Sequence, residues 1–263
     1  MMPREKMTEV PKEHWFEDLA DHLQEAYLRY SFTKGTSEEV DEIISQLRLQ
    51  PGDRVLDVGC GPGRHSLELG RRGISCHGID ISERFVELAT TSAVAEGLSD
   101  LVTFERVDAR KLQFACEFDG VFSLCEGAFG LQGGPATEDP PNLRGDQMIL
   151  SGMTQALRRG RRLLVAAISA YFQLHNLEDN ENSVEFDLLT ATRHERTEIR
   201  NPHGRAVFAD LWTTCFTPRE LWLMAEIAGL EPLQIRSVHS GEDWKAETLD
   251  LSHAELLLLA RRP

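Results

Sequence analysis

The 263-residue sequence predicts an α/β protein built on a doubly wound, mostly parallel sheet. Three observations carry that reading. From Arg54 onward, short apolar runs alternate with segments of helical period. Strand-like runs such as RVLDV and RRLLVAAIS are apolar at nearly every position, as strands covered on both faces must be. The stretch RVLDVGCGPGRHSLELGRRG, from Arg54 to Gly73, passes from a strand through an acid and three glycines into a helix.

The elements follow in order. WFEDLADHLQEAYLRY, Trp15 to Tyr30, carries apolar residues at helical spacing. SEEVDEIISQL, Ser37 to Leu47, is a second helix with Ser37 as its cap and Val40, Ile43, Ile44 and Leu47 on one face. Pro51 to Asp53 is a turn. Strands are expected at 54–58, 75–79, 102–107, 120–124 and 162–169, with helices at 63–72, 83–95 and 146–158 between them. The stretch FACEFD ahead of the fourth strand reads as exposed. The rhythm then changes. Residues 184–200 and 205–216 are rich in Thr, Val and aromatics, and NPHG at 201–204 joins them as a β-hairpin. Thr217 caps a helix with Pro218 in its first position and Gly229 closing it. A strand from Leu233 and a last strand from Glu255 end the chain. The organisation expected is an N-terminal helical lid over 1–50 and a main domain over 51–263, with the hairpin inserted at about 183–216.

Composition narrows the function. With 28 Lys and Arg against 43 Asp and Glu, the formal charge is −15, which repels phosphate backbones and argues against a nucleic-acid partner. The basic cluster Arg158, Arg159, Arg161 and Arg162 reads as cations at a helix end. Five cysteines without a C-x-x-C pair fit a reducing compartment with neither disulfides nor structural zinc. MMPREKMTEVPKEHW lacks the apolar core of a signal peptide, and LLVAAISAYF falls short of the ~20 residues of a membrane helix. A cytoplasmic protein that is a monomer or homodimer is expected, with no membrane partner.

The chemistry gathers at the carboxyl edge of the sheet. Gly59, Gly61 and Gly63 let the backbone approach a ligand there. No Lys-Ser/Thr follows, which excludes a P-loop, and Arg64 stands where a dinucleotide loop counted from Gly59 carries a small residue. A nucleoside-like ligand without a pyrophosphate fits better. Asp57 precedes the glycines, Asp80 ends the second strand and Asp108 the third, so three acids face one crevice. Asp80, about twenty residues past the turn, is placed to accept ribose hydroxyls.

VLDVGCGPGRHSLELGRRG, GIDIS, ERVDARKL and FDGVFSL together resemble the successive motifs of class I S-adenosylmethionine-dependent methyltransferases. The resemblance runs from Arg54 to Leu124, and the later elements fit the rest of that Rossmann-like fold. It implies a seven-stranded sheet whose last strand, Glu255 to Arg261, inserts antiparallel. It also implies S-adenosylmethionine as cofactor, with Gly59, Cys60 and Gly61 against its methionine part and Asp57 beneath. By the same resemblance Asp80 holds the ribose and Ile81 packs on the adenine. Asp108 bonds the adenine amino group beside Ala109, and Leu124 flanks the sulfonium. Tyr30 joins this set from the N-terminal helices.

The acceptor is expected to be a small molecule methylated at N or O. Glu126, in LCEGAFG after the fourth strand, is the candidate catalytic base or amine partner. The [DN]-P-P-[YFW] signature of amide and base N-methyltransferases is missing there. Tyr171, His175 and Trp212 are candidate acceptor residues, and Tyr27 and His194 further lid candidates; HNLED and HERTE lack a second ligand at i+4, so no metal site is assigned. Two rivals remain. A nicotinamide-dependent oxidoreductase would use the Tyr171 to His175 spacing, which lacks the expected lysine. A methyltransferase-like domain could instead bind without turnover.

Overall fold

The computed structural model describes residues 12, 14–125, 127–132, 134, 143–177, 184–239, 244 and 248–263. Strands β1 (Arg54–Val58), β2 (Ser75–Asp80), β3 (Val102–Arg106), β4 (Phe118–Ser123) and β5 (Leu157–Ile168) form the parallel part of a seven-stranded sheet. With β6 (Val184–Asp187), β7 (Thr192–Arg200) and β8 (Ala206–Thr214) set apart, β9 (Glu231–Val238) and β10 (Glu255–Arg261) complete it in the order β3-β2-β1-β4-β5-β10-β9. β10 runs antiparallel to both β5 and β9, as expected for the last strand.

Why the strands read as unbroken apolar runs is visible in their two faces. Leu163, Val165 and Ala167 of β5, with Leu256 and Leu258 of β10, face helices α5 (Arg144–Ala156) and α7 (Pro218–Ile227). Leu164, Ala166, Leu257 and Leu259 point the other way, onto Val40, Ile43 and Leu47 of α2 (Thr36–Leu47) and Leu69 of α3 (Arg64–Arg71). Alternate residues thus enter two separate cores, and neither face tolerates polarity. α2 is therefore one of the sheet's covering layers. α1 (Trp15–Leu23) lies outside it, against α4 (Glu83–Ala95) and β7.

Several elements depart from the sequence reading, each for a local reason. The first helix stops at Leu23 because Gln24 turns into the left-handed region, φ 49°, and a 3-10 segment Gln24–Arg29 follows. Ser37 lies inside α2, whose cap position is Gly35. The inserted hairpin is a three-stranded antiparallel sheet, β6-β7-β8. Its extra turn forms where Asp187 Oδ1 accepts from the amides of Leu189 and Thr190, an Asx turn that breaks the expected long strand. The Asn201 to Gly204 connection is present, with Asn201 Oδ1 accepting from His203 and Arg205 amides.

FACEFD is not wholly exposed: Phe118 and Asp119 are buried. The arginine cluster sits at the start of β5, not at a helix end, in a bulge between Leu157 and Arg162. Buried Asp119 explains it, because its carboxylate takes Arg158 at 2.6 Å and Arg161 at 2.8 Å. Among the described residues, no helix is long and apolar enough to cross a membrane.

Candidate cofactor site

The glycine turn is built by the ends of β1 and β2. Gly59 and Cys60 amides both donate to Ile79 O, at 2.8 and 2.9 Å, which folds the chain back over the second strand. Gly59 has φ 76°, and a Cβ there would lie 2.1 Å from the carbonyl carbon of Gly127. Only glycine allows the turn after β1 and the segment after β4 to meet. Asp57 lies beneath, buried, accepting from Ser66 Oγ of α3 at 2.7 Å. Its role in the fold is to tie strand to helix, and it does not line the cavity.

A cavity opens above this turn, lined by Gly59, Asp80, Ile81, Asp108 and Ala109 from the first three strand ends. Gly127, Ala128, Leu131 and Gln132 close it from the segment after β4, and His14 and Phe16 cover it from the start of α1. Of the residues expected to hold a cofactor, five therefore converge on one space.

Asp80 is buried, and burial raises its carboxyl to about 6. Its oxygens accept from the Gly61 and Ser82 amides, each at 2.8 Å. A carboxylate offers about four acceptor positions, so these amides leave room for a ligand hydroxyl. Asp57 is raised further, to about 7, again by burial.

Asp108 differs from expectation. Arg110 binds it with its backbone amide and with both Nε and Nη2, at 2.9 to 3.0 Å, and Lys111 adds a contact at 3.3 Å. Its acceptor positions are filled, so it positions Arg110 along the cavity rather than presenting a free carboxylate to an adenine amino group. Although burial pushes this carboxyl up, those contacts outweigh it and hold it below the ordinary value.

Other expected residues lie further out. Cys60 and Leu124 are buried in packing, and Gly61 contributes its amide to Asp80. The ring above Gly61 is Tyr27, whose Cε1 is 3.8 Å from where a Cβ would stand. Tyr30 is exposed and stacks on Phe32 at 5.6 Å. Tyr171 and His175 lie exposed on the short helix α6 (Ala170–His175), and neither lines the cavity. Trp212 packs edge-on against Trp15 at 5.5 Å and stacks on His194 at 5.0 Å. His194 Nε2 in turn meets Asp210 at 3.0 Å. Glu126 lies outside the described residues.

His14 and Phe16 went unrecognised in the sequence. His14 caps α1 by accepting from the Phe16 amide on Nδ1 at 3.2 Å, while its Nε2 reaches Leu131 O at 2.9 Å. The ring is thus neutral with its proton on Nε2, and burial lowers its pKa accordingly. The signal was His14 followed three residues later by Glu17, a capping box written with histidine in place of Ser or Thr.

One buried charged cluster adjoins the turn. Glu39 of α2 accepts from Arg64, and its Oε2 meets His65 Nε2 at 2.8 Å. Burial pushes Glu39 up, but the His65 hydrogen bond and the Arg64 charge outweigh it and bring it to about 2. Burial and the same arginine lower His65 to about 4. Glu39, His65 and Cys125 have the mutual spacing of metal ligands. Arg64 already brings a positive charge to Glu39 and Cys125, however, through hydrogen bonds to both.

Comparison with known proteins agrees with this architecture. Residues 55–131 match the family model of the methyltransferase domain. The chain is 33% identical over 119 residues to the 27-O-demethylrifamycin SV methyltransferase of Amycolatopsis mediterranei, covering 41% of this chain and 44% of that protein. The match to this curated relative thus spans less than half of its length. The CcbJ methyltransferase of Streptomyces caelestis superposes with a TM-score of 0.74 at 19% identity, over 96% of this chain and 99% of that one. CalS10, an amino pentose methyltransferase from Micromonospora echinaspora solved with S-adenosylmethionine bound, gives 0.59 at 20% identity, over 91% and 96%. At these identities the structural likeness speaks for the fold. Residues 55–131 thus carry the match to the methyltransferase domain, and the solved structures share the architecture of the whole chain.

Proposed function

We propose that the protein transfers a methyl group from S-adenosylmethionine to N or O of a small-molecule acceptor. The observation that carries this is the convergence of three successive strand ends, through Gly59, Asp80, Ile81, Asp108 and Ala109, on one cavity. When bound, the cofactor supplies an electrophilic methyl on a cationic sulfonium. What the chain supplies is position and dryness. Gly59 allows close approach, Asp80 offers its free acceptor positions to the ribose, and Ile81 and Ala109 give an apolar slot. His14 and Phe16 exclude water from above. Methyl transfer consumes charge, so alignment and dehydration matter most, and a base is needed only for an acceptor that starts protonated.

A relative named for a 27-O-demethyl substrate supports an acceptor at oxygen. Trp212, bracketed by Trp15 and His194, is the acceptor-side candidate whose surroundings form an aromatic ledge next to α1. Tyr171 and His175 remain candidates from the exposed α6. Glu126 is proposed as base or amine partner, so Glu126→Gln should spare cofactor binding and lower turnover; full activity in that variant removes it from the mechanism.

Calorimetry with S-adenosylhomocysteine, beside NADH as a control, tests the cofactor. Micromolar binding of the first alone supports the proposal, and transfer of a labelled methyl group in an acceptor screen completes it. Binding of NADH alone would replace it with an oxidoreductase.

A further inference from the structure

We propose that Arg64 is a positioning residue for the cavity wall: held by Glu39, it sets the path of the chain at Cys125 and so places Gly127 and Ala128. The inference rests on reading the cavity as the cofactor site. Arg64 opens α3 directly after the glycine turn, where a small residue would serve a dinucleotide loop. Its guanidinium instead joins three segments. It donates to Thr36 Oγ1 at 3.0 Å and to Glu39, both on α2, and to Cys125 Sγ at 2.9 Å after β4.

Burial explains why this arrangement is rigid. Glu39 is fully buried and Arg64 nearly so, and a buried carboxylate persists only where partners replace its water. Cys125 has φ 55°, a left-handed conformation that a non-glycine residue keeps only when its surroundings impose it. Two residues later Gly127 occupies the space that a Cβ on Gly59 would need. There is no slack between those backbones, so a shift at Cys125 becomes a shift of the wall that Gly127 and Ala128 form. The cationic centre of the cluster also accounts for its ligand-like spacing without a metal.

Full-length protein carrying Arg64→Gln, Arg64→Lys or Cys125→Ala tests this with three readouts: melting temperature, S-adenosylhomocysteine affinity, and the iodoacetamide labelling rate of Cys125 relative to exposed Cys116. Arg64→Lys keeps a charge for Glu39 but is too compact to bridge to Cys125. It should restore the melting temperature lost in Arg64→Gln while affinity stays at least tenfold weakened. Cys125→Ala, which leaves the Arg64–Glu39 pair in place, should weaken affinity with little change in melting. Cys125 in both Arg64 variants should label at least tenfold faster than in the parent. A lysine variant with parental affinity, or Cys125 labelling unchanged in Arg64→Gln, overturns the proposal. The labelling arm needs no cofactor, so failure of the parent to bind S-adenosylhomocysteine would sink the cofactor reading while labelling still decides on the clamp.

Discussion

Gly59→Ala separates two costs that are usually confounded. The backbone at Gly59 has φ 76°, and an L-residue held there loses about 1–2 kcal/mol. Its Cβ would also lie 2.1 Å from Gly127 C, 2.3 Å from Gly127 O and 2.5 Å from Ala128 N. Those are backbone atoms that no rotamer change can move, so a further ~1–3 kcal/mol of overpacking is expected. Gly73 supplies the control. It has the same φ of 76°, but nothing lies within 4 Å of its Cβ position. Gly73→Ala should therefore lose only the conformational part. At about 2–4 °C per kcal/mol for a chain of this size, Gly59→Ala should melt roughly 4–20 °C lower, and Gly73→Ala only a few degrees lower. Thermal melts of the pair, read beside S-adenosylhomocysteine calorimetry, make the comparison. Because Gly127 and Ala128 line the cavity, affinity should fall at least tenfold in Gly59→Ala and stay unchanged in Gly73→Ala. Equal melting temperatures for the two variants would show that the turn and the segment after β4 do not meet as described.

Asp80→Ala should weaken cofactor binding by about 1.5–3 kcal/mol, the worth of hydrogen bonds to a charged group, and an unchanged affinity by calorimetry would remove Asp80 from the site. Asp146, buried with its Oδ1 accepting from the Gly130 amide at 2.7 Å, is raised by burial to about 7. A raised acid binds its proton longer folded than unfolded, so its contribution to stability falls as pH climbs from about 4 to about 7. Asp146→Asn should abolish that fall, worth up to about 3 kcal/mol between pH 5 and pH 8, in urea titrations at those two pH values. For His14 the sign reverses. Its lowered pKa means stability is complete above the unfolded value of about 6.5 and is lost as pH drops below it. His14→Gln should lack this acid-side loss, and an identical pH profile would refute the neutral latch.

Cofactor-side architecture was legible because its signals are local. β1 carrying Asp57 and ending at Val58, a turn that needs glycine at Gly59, and a helix that starts at Arg64 are all short-range constraints, and Asp80 likewise ends β2. The antiparallel last strand came from resemblance and is present as β10. What the sequence hid depended on partners far along the chain. Asp108 looked like a free acid because nothing in ERVDARKL shows Arg110 folding back onto it. The arginines of β5 looked like a helix end because their partner, Asp119, lies some forty residues earlier in a stretch that reads as exposed. Arg64 registered only as a misfit in a nucleotide loop, although its partners Glu39 and Cys125 lie 25 and 61 residues away.

The same division bears on how such a chain acquires an acceptor. The residues expected to hold the cofactor come from consecutive strand ends, so they move together with the sheet. The residues that cover the cavity from outside the sheet, His14 and Phe16, come from the start of α1, and Trp15 between them packs on Trp212 of β8 in the separate three-stranded sheet. Trp15 meets Trp212 at 5.5 Å, so these two additions pack on each other. On the proposed reading, a change in either would alter the acceptor side without touching Gly59 or Asp80. That is why cofactor motifs alone cannot specify the acceptor, and why Trp212 is better tested by its effect on acceptor KM than by its effect on cofactor affinity.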